Sequence, residues 1–191
     1  MTDTLVQKNI TFQDLSDNKP QPDPVDSIYK GLCAEQKWIS SKFFYDERGS
    51  RLFEEITRLP EYYLTRTERA LLQQRAEEIG PYLAPVDIIE PGSGDCSKIS
   101  LLLRGVPPQD LDTVRYIPMD ISRSAVEKAA SRLLSLFPDI SIHCLIGDFR
   151  EALLHIPLGK DRFFCFLGST IGNLSPEQAR SFLSSISALM K

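Results

Sequence analysis

A chain of 191 residues, 42% of them hydrophobic, is enough for one globular domain of ordinary core size and would leave two full domains cramped. Its net charge of −4, with no cluster of lysine or arginine, argues against a nucleic-acid partner or an acidic membrane surface and for a small molecule. No apolar stretch reaches the length of a membrane span and Met1-Thr2-Asp3-Thr4 is no charged-then-apolar leader, so a cytoplasmic location is expected.

Residues 1–26 are polar and carry Lys19-Pro20-Gln21-Pro22-Asp23-Pro24, a composition that predicts a flexible tail. An N-terminal helical segment over 27–80 follows, with helices predicted from Ser27 to Gln36, from Gly49 to Arg58 around Leu52, Phe53 and Ile56, and from Arg66 to Ile79. Thr65 with Glu68 three residues on reads as a capping box for the third of these, and Pro81 marks its end.

From residue 81 to 191 the pattern is that of alternating strands and helices. Short β-branched or aromatic runs at Val86 to Glu90, Arg115 to Met119, Ser141 to Ile146 and Phe163 to Leu167 predict strands. Lys98 to Leu103 and Ser124 to Leu134 read as intervening helices. A last helix starts at a Ser175 cap, with Pro176 at its first position and Gln178 completing the box, and should bury Ala179, Phe182, Leu183 and Ile186. Strand, helix, strand at a repeat of roughly 30 residues predicts an α/β fold with a doubly wound, Rossmann-like parallel sheet. Phe163 to Leu167 has the character of a central strand buried on both faces, yet the sequence ends one helix later. The sheet is therefore expected to be incomplete on that side, as the front part of a larger domain or with its edge covered by another chain.

The most informative stretch is Ile88-Ile89-Glu90-Pro91-Gly92-Ser93-Gly94-Asp95, an apolar strand ending in an acidic residue and two closely spaced glycines. Such a turn lets the backbone approach a ligand, and the following helix directs N–H groups at it. Asp120 and Asp148 close the next two strands, so three carboxylates stand at the carboxyl ends of neighbouring strands. Asp120 can accept from both ribose hydroxyls, and Asp148 from an adenine amino group with Phe149 beside the ring. Each aspartate alone could equally be a helix cap or turn former. The distance from the glycines to Asp120 also resembles a dinucleotide fingerprint. Two residues oppose that reading: Ser97 replaces the third glycine, and an anionic Glu90 would repel a pyrophosphate while suiting a sulfonium amino acid. S-adenosylmethionine fits better than NAD. Cys33, Cys96, Cys144 and Cys165 are scattered without a Cys-x-x-Cys pair, and His143 and His155 are the only histidines, so no metal site and no disulfide framework is expected.

Tyr45-Asp46-Glu47-Arg48-Gly49-Ser50, Leu52 to Tyr63 and Thr65-Arg66-Thr67-Glu68, followed by Phe166-Leu167-Gly168-Ser169-Thr170-Ile171-Gly172-Asn173-Leu174, resemble the signatures of histidine-specific, S-adenosylmethionine-dependent methyltransferases of the ergothioneine pathway. The resemblance runs from about residue 28 to the end. It implies a class I methyltransferase fold and methylation of the α-amino group of an amino acid, with L-histidine as the first candidate. For the cofactor it implies Glu90, Gly92, Ser93, Gly94, Lys98 at the methionine carboxylate, Asp120 at the ribose, and Asp148 and Phe149 at the adenine. For the substrate it implies Asn173 at the amino and carboxylate groups, Tyr45 near the amino group and Tyr62 toward the imidazole, with Tyr45 and Asn173 nearest the chemistry. Tyr45 and Tyr62 could instead be core aromatics, and Asn173 a turn former. Family members run on past this length, so the residues that read the imidazole would lie beyond Lys191, and a monomer is expected at full length. The alternative is a non-catalytic truncated relative that binds cofactor or a partner chain.

Overall fold

The computed structural model describes residues 4–7, 9–15, 24–44 and 47–190. After residue 86 the chain runs β3 (Asp87–Pro91), α4 (Ile99–Leu103), β4 (Arg115–Asp120), α5 (Arg123–Leu136), β5 (Ser141–Ile146), α6 (Phe149–Ala152), β6 (Arg162–Phe164) and α7 (Pro176–Leu189). Ahead of these lie β1 (Thr4–Gln7), β2 (Ile10–Asp14), α1 (Pro24–Cys33), α2 (Glu47–Ile56) and α3 (Leu64–Ile79). Among the described residues, six strands form one sheet in the order β1-β2-β5-β4-β3-β6, parallel throughout except for β1.

Alternation along the strands explains the two layers. Ile88, Tyr116, Ile142 and Cys144 face a core built with α3, α4 and α5, while Ile89, Ile117, Met119 and Leu145 face a second core with α6 and α7. Helices on both faces of a parallel sheet make the doubly wound fold that the sequence predicts. The buried Asp87 at the start of β3 takes a two-pronged ion pair from Arg115 on β4, at 2.7 and 2.6 Å. Where α3 ends, Gly105 comes so close that a Cβ there would lie 1.8 Å from the Ala76 carbonyl oxygen, a contact that only glycine permits.

Four expectations need correction. The polar tail over 1–26 is wrong for residues 4–7, 9–15 and 24–26: β1 and β2 pair antiparallel, β2 pairs in parallel with β5 so that Ile10, Phe12 and Leu15 are buried, and α1 begins at Pro24. His143 on β5 shares a 2.6 Å hydrogen bond with Thr11 across this join. Residues 16–23 of the expected tail lie outside the described residues. The Thr65 cap is also wrong. Helix α3 begins two residues earlier, with Tyr63 at its N-cap and no side-chain cap, and Glu68 is turned to other partners. The strand expected over Phe163 to Leu167 is shorter and less buried than its sequence suggests: β6 is three residues long and half-buried, and the Cys165 N–H continues its pairing to Ile89. Among the described residues it does stand at the sheet's edge, paired with β3 on one side, as expected. On α7 the Ser175–Gln178 capping box forms and Phe182 and Ile186 are buried, but Leu183 is 48% exposed.

Candidate active site

Strands β3 and β6 run in parallel from adjacent positions while the chain between them passes through β4 and β5, so β3 and β6 flank the point where the winding reverses. Open α/β sheets bind ligands at the carboxyl ends of the strands beside that point. The loop after β3 is held there by its own backbone: the Gly92 and Ser93 N–H groups donate to the Met119 carbonyl at 2.7 and 3.2 Å, extending the β3–β4 pairing past the strand. Gly92 has φ +68, and a Cβ on it would meet the Thr170 methyl at 2.8 Å. The turn therefore needs glycine both for its backbone conformation and for the closeness of the loop after β6.

Asp120, at the end of β4, spans the neighbouring loops. Its Oδ2 accepts from the Gly94 N–H at 3.0 Å and its Oδ1 from the Ser122 N–H at 3.1 Å. Burial raises its pKa, against the pull of those N–H donors. The carboxylate has about four lone pairs against the backbone donors of Gly94, Ile121 and Ser122, so capacity for a ligand hydroxyl remains. Between the two glycines sits Ser93, 6% exposed, whose Oγ has no hydrogen-bond partner among the described residues. Buried hydroxyls without partners are uncommon, and one inside a glycine turn beside Asp120 suits a ligand with polar groups of its own. The residues present thus fit a nucleoside-bearing amino acid.

Glu90 behaves differently from an exposed anion. It is 2% exposed and accepts a 2.5 Å hydrogen bond from the Tyr116 hydroxyl, which also approaches Cys96 Sγ at 3.3 Å. Burial pushes its pKa up to about 8, while Tyr116 and Lys98 pull it down. At neutral pH the carboxyl is therefore largely protonated, and the expectation that it repels a pyrophosphate by charge does not hold. The helix after the glycines is also shorter than expected: α4 has five residues, with Lys98 before its first.

Lys98 forms an ion pair with Glu68 of α3 at 2.6 Å, and the other Glu68 oxygen accepts from the Gly168 N–H at 2.8 Å. Gly168 opens the loop that runs through Ser169, at φ +61, into the turn Thr170–Asn173. Asn173 closes that turn and is exposed. Tyr62 is half-buried, its ring edge-on to Phe53 at 6.0 Å, and Arg66 binds the Leu59 and Pro60 carbonyls at 2.7 Å each, fixing this segment to the start of α3. Tyr45 lies outside the described residues. At the end of β5, the Gly147 N–H donates to the Asp120 carbonyl, bringing Asp148 next to that corner. Asp148 caps α6 and is paired with Arg150, and the Phe149 ring packs against Phe166 and Phe182 at 5.9 and 5.1 Å.

Sequence reasoning reached Gly92, Gly94, Asp120 and Lys98, and the structure joins them around one corner of the sheet. It missed Glu68 and Thr170. Both act across long sequence separations, Glu68 reaching Gly168 exactly one hundred residues away by number, and no local pattern signals such pairs.

Residues 25–191 match the family described as histidine-specific methyltransferase, SAM-dependent. Among curated relatives, the histidine N-alpha-methyltransferase of Mycobacterium tuberculosis is 38% identical over 164 residues, 86% of this chain and 51% of the relative. The protein of the same name from Mycolicibacterium smegmatis is 41% identical over 159 residues, 83% of this chain and 49% of the relative. The chain spans about half the length of these relatives. In fold it resembles an O-methyltransferase family protein from Burkholderia thailandensis, with a TM-score of 0.53 at 15% identity, over 88% of this chain and 47% of that one.

Proposed function

This chain belongs to the histidine-specific, S-adenosylmethionine-dependent methyltransferase family, and from that premise we propose that it takes part in methylating the α-amino group of an amino acid, with L-histidine as the substrate. The observation that carries the cofactor assignment is the unpartnered Ser93 hydroxyl in the turn that Asp120 braces. That corner offers a buried polar group, a turn without side chains at Gly92 and Gly94, and a carboxylate, which is what an adenosyl amino acid requires. The family signatures and the relatives of that name support histidine as substrate.

When bound, S-adenosylmethionine supplies a methyl group on a positively charged sulfur. The protein's part is then to hold and orient. Asp120 accepts from the ribose hydroxyls, Gly92 meets the cofactor through its backbone, and Ser93 and Gly94 line the same turn. Lys98 holds the methionine carboxylate. Asp148 takes the adenine amino group, with Phe149 as a fixed apolar neighbour. Asn173 holds the amino and carboxylate groups of the substrate, while Tyr45 and Tyr62 set the amine and the imidazole. Methyl transfer is an in-line displacement needing a neutral amine lone pair aimed at the methyl carbon, so no covalent nucleophile is required. Positioning of this kind can account for up to roughly 7–11 kcal/mol of a barrier. Glu90, turned into the core toward Tyr116, is not placed to take the amine proton.

The test is to incubate the full chain with S-adenosylmethionine and a panel of amino acids and to follow mass gains of methyl units. Gain on histidine supports the proposal. Gain only on another amine removes the substrate and keeps the class, and calorimetry showing affinity for NAD but none for S-adenosylmethionine refutes the cofactor.

A further inference from the structure

We propose that Glu68 is a positioning residue: it presets the Lys98 ammonium for the cofactor's carboxylate and ties the loop after β6 to the same point. The inference rests on the reading of Lys98 given above.

The geometry is a two-handed bridge. One Glu68 oxygen lies 2.6 Å from Lys98 Nζ, and the other accepts the Gly168 N–H at 2.8 Å. Both side chains are largely withdrawn from water, at 20% and 29% exposure, where such contacts are screened less than at the surface. The ammonium also sits against the turn itself, since a Cβ on Gly168 would be 2.7 Å from Nζ. Beyond Gly168, Thr170 anchors its hydroxyl on the Leu167 carbonyl at 3.1 Å and sets its methyl over Gly92. A single carboxylate on α3 thereby links the loops after β3 and after β6. A second tie runs alongside it, from Arg69 Nη1 to Ser97 Oγ at 2.9 Å.

Lysine suits such an arrangement. Its ammonium has three donors, of which the Glu68 bond uses one, leaving others for an incoming carboxylate. Its four-carbon stem is flexible, and a free lysine would lose that freedom on binding; Glu68 has already removed it. Glu68 itself needs no contact with the cofactor. Its place in the sequence, three residues after Thr65, would suit a helix cap, yet the structure turns it from the helix terminus to Lys98 and Gly168.

The test is a double-substitution cycle read by calorimetry of S-adenosylhomocysteine binding to the full chain. Glu68→Gln keeps an acceptor for the Gly168 N–H and removes the charge that holds Lys98. It should raise Kd about tenfold, and in a Lys98→Met background it should add less than twofold, because its effect passes through Lys98. Glu68→Asp keeps the charge on a shorter arm and should fall between wild type and Glu68→Gln; it also serves if the glutamine variant folds poorly. Unchanged or tighter binding by Glu68→Gln, or the same tenfold loss without Lys98, overturns the proposal. If wild type itself does not bind, the cofactor reading falls and this inference with it, an outcome distinct from normal wild-type binding with an indifferent Glu68.

Discussion

Replacing Glu90 by glutamine should remove a pH dependence of stability that the wild-type chain carries. The Glu90 carboxyl is buried beneath the glycine turn, and its pKa is pushed from 4.5 to about 8. The folded protein thus keeps a proton that the unfolded chain has lost, so this group's contribution is fully present below pH 4.5 and declines as pH rises toward 8. With each pKa unit equal to about 1.36 kcal/mol, the decline between pH 6 and pH 8 is on the order of 2 kcal/mol. Glutamine keeps an acceptor for the Tyr116 hydroxyl and cannot titrate. Urea unfolding followed by circular dichroism at both pH values, for wild type and Glu90→Gln, gives the comparison. Other groups, such as His143, whose pKa burial lowers, are common to both proteins and cancel in the difference. The wild-type stability should fall relative to the variant by about 2 kcal/mol over that interval. Parallel profiles would refute the reading of Glu90 as a carboxyl kept protonated by burial.

Arg115→Met should destabilise the fold by roughly 3–5 kcal/mol in urea unfolding, because it leaves the fully buried Asp87 charge without its two-pronged partner. Gly105→Ala should cost more than about 2 kcal/mol by the same assay, since its methyl would overlap the Ala76 carbonyl oxygen and backbone must move. Asp120→Ala should weaken cofactor binding in calorimetry, whereas Asn173→Ala should raise the KM for the amino acid in the methylation assay with little effect on cofactor affinity. Loss of cofactor affinity alone in both variants would count against the placement of Asn173.

Much of the sheet was legible because its strands and helices obey local rules. Ser141 to Ile146 is the strand that alternation and turn residues predict, and Ser175-Pro176-Glu177-Gln178 forms the predicted cap because all its partners lie within three residues. The N-terminal hairpin was missed although Ile10 and Phe12 show the period of two. Polar neighbours and the proline-rich run behind them suggested disorder, and the burial that outweighs this comes from β5, some 130 residues away in the chain. Thr65 and Glu68 illustrate the opposite failure. Their spacing satisfies a local rule, but Lys98 and Gly168 offer Glu68 charge-assisted bonds inside the fold. At the site, residues on one loop could be read from spacing, while the state of Glu90 depended on how deeply Tyr116 and its surroundings enclose it.

The hairpin at the sheet's far edge bears on how the protein is prepared. A composition-guided trim at residue 26 would discard Ile10, Phe12 and Leu15, each worth roughly 1.5–3 kcal/mol of burial, and would bare the hydrogen-bonding edge of β5. The shortened product should be less soluble than the whole chain, and an affinity tag is better carried at the opposite terminus.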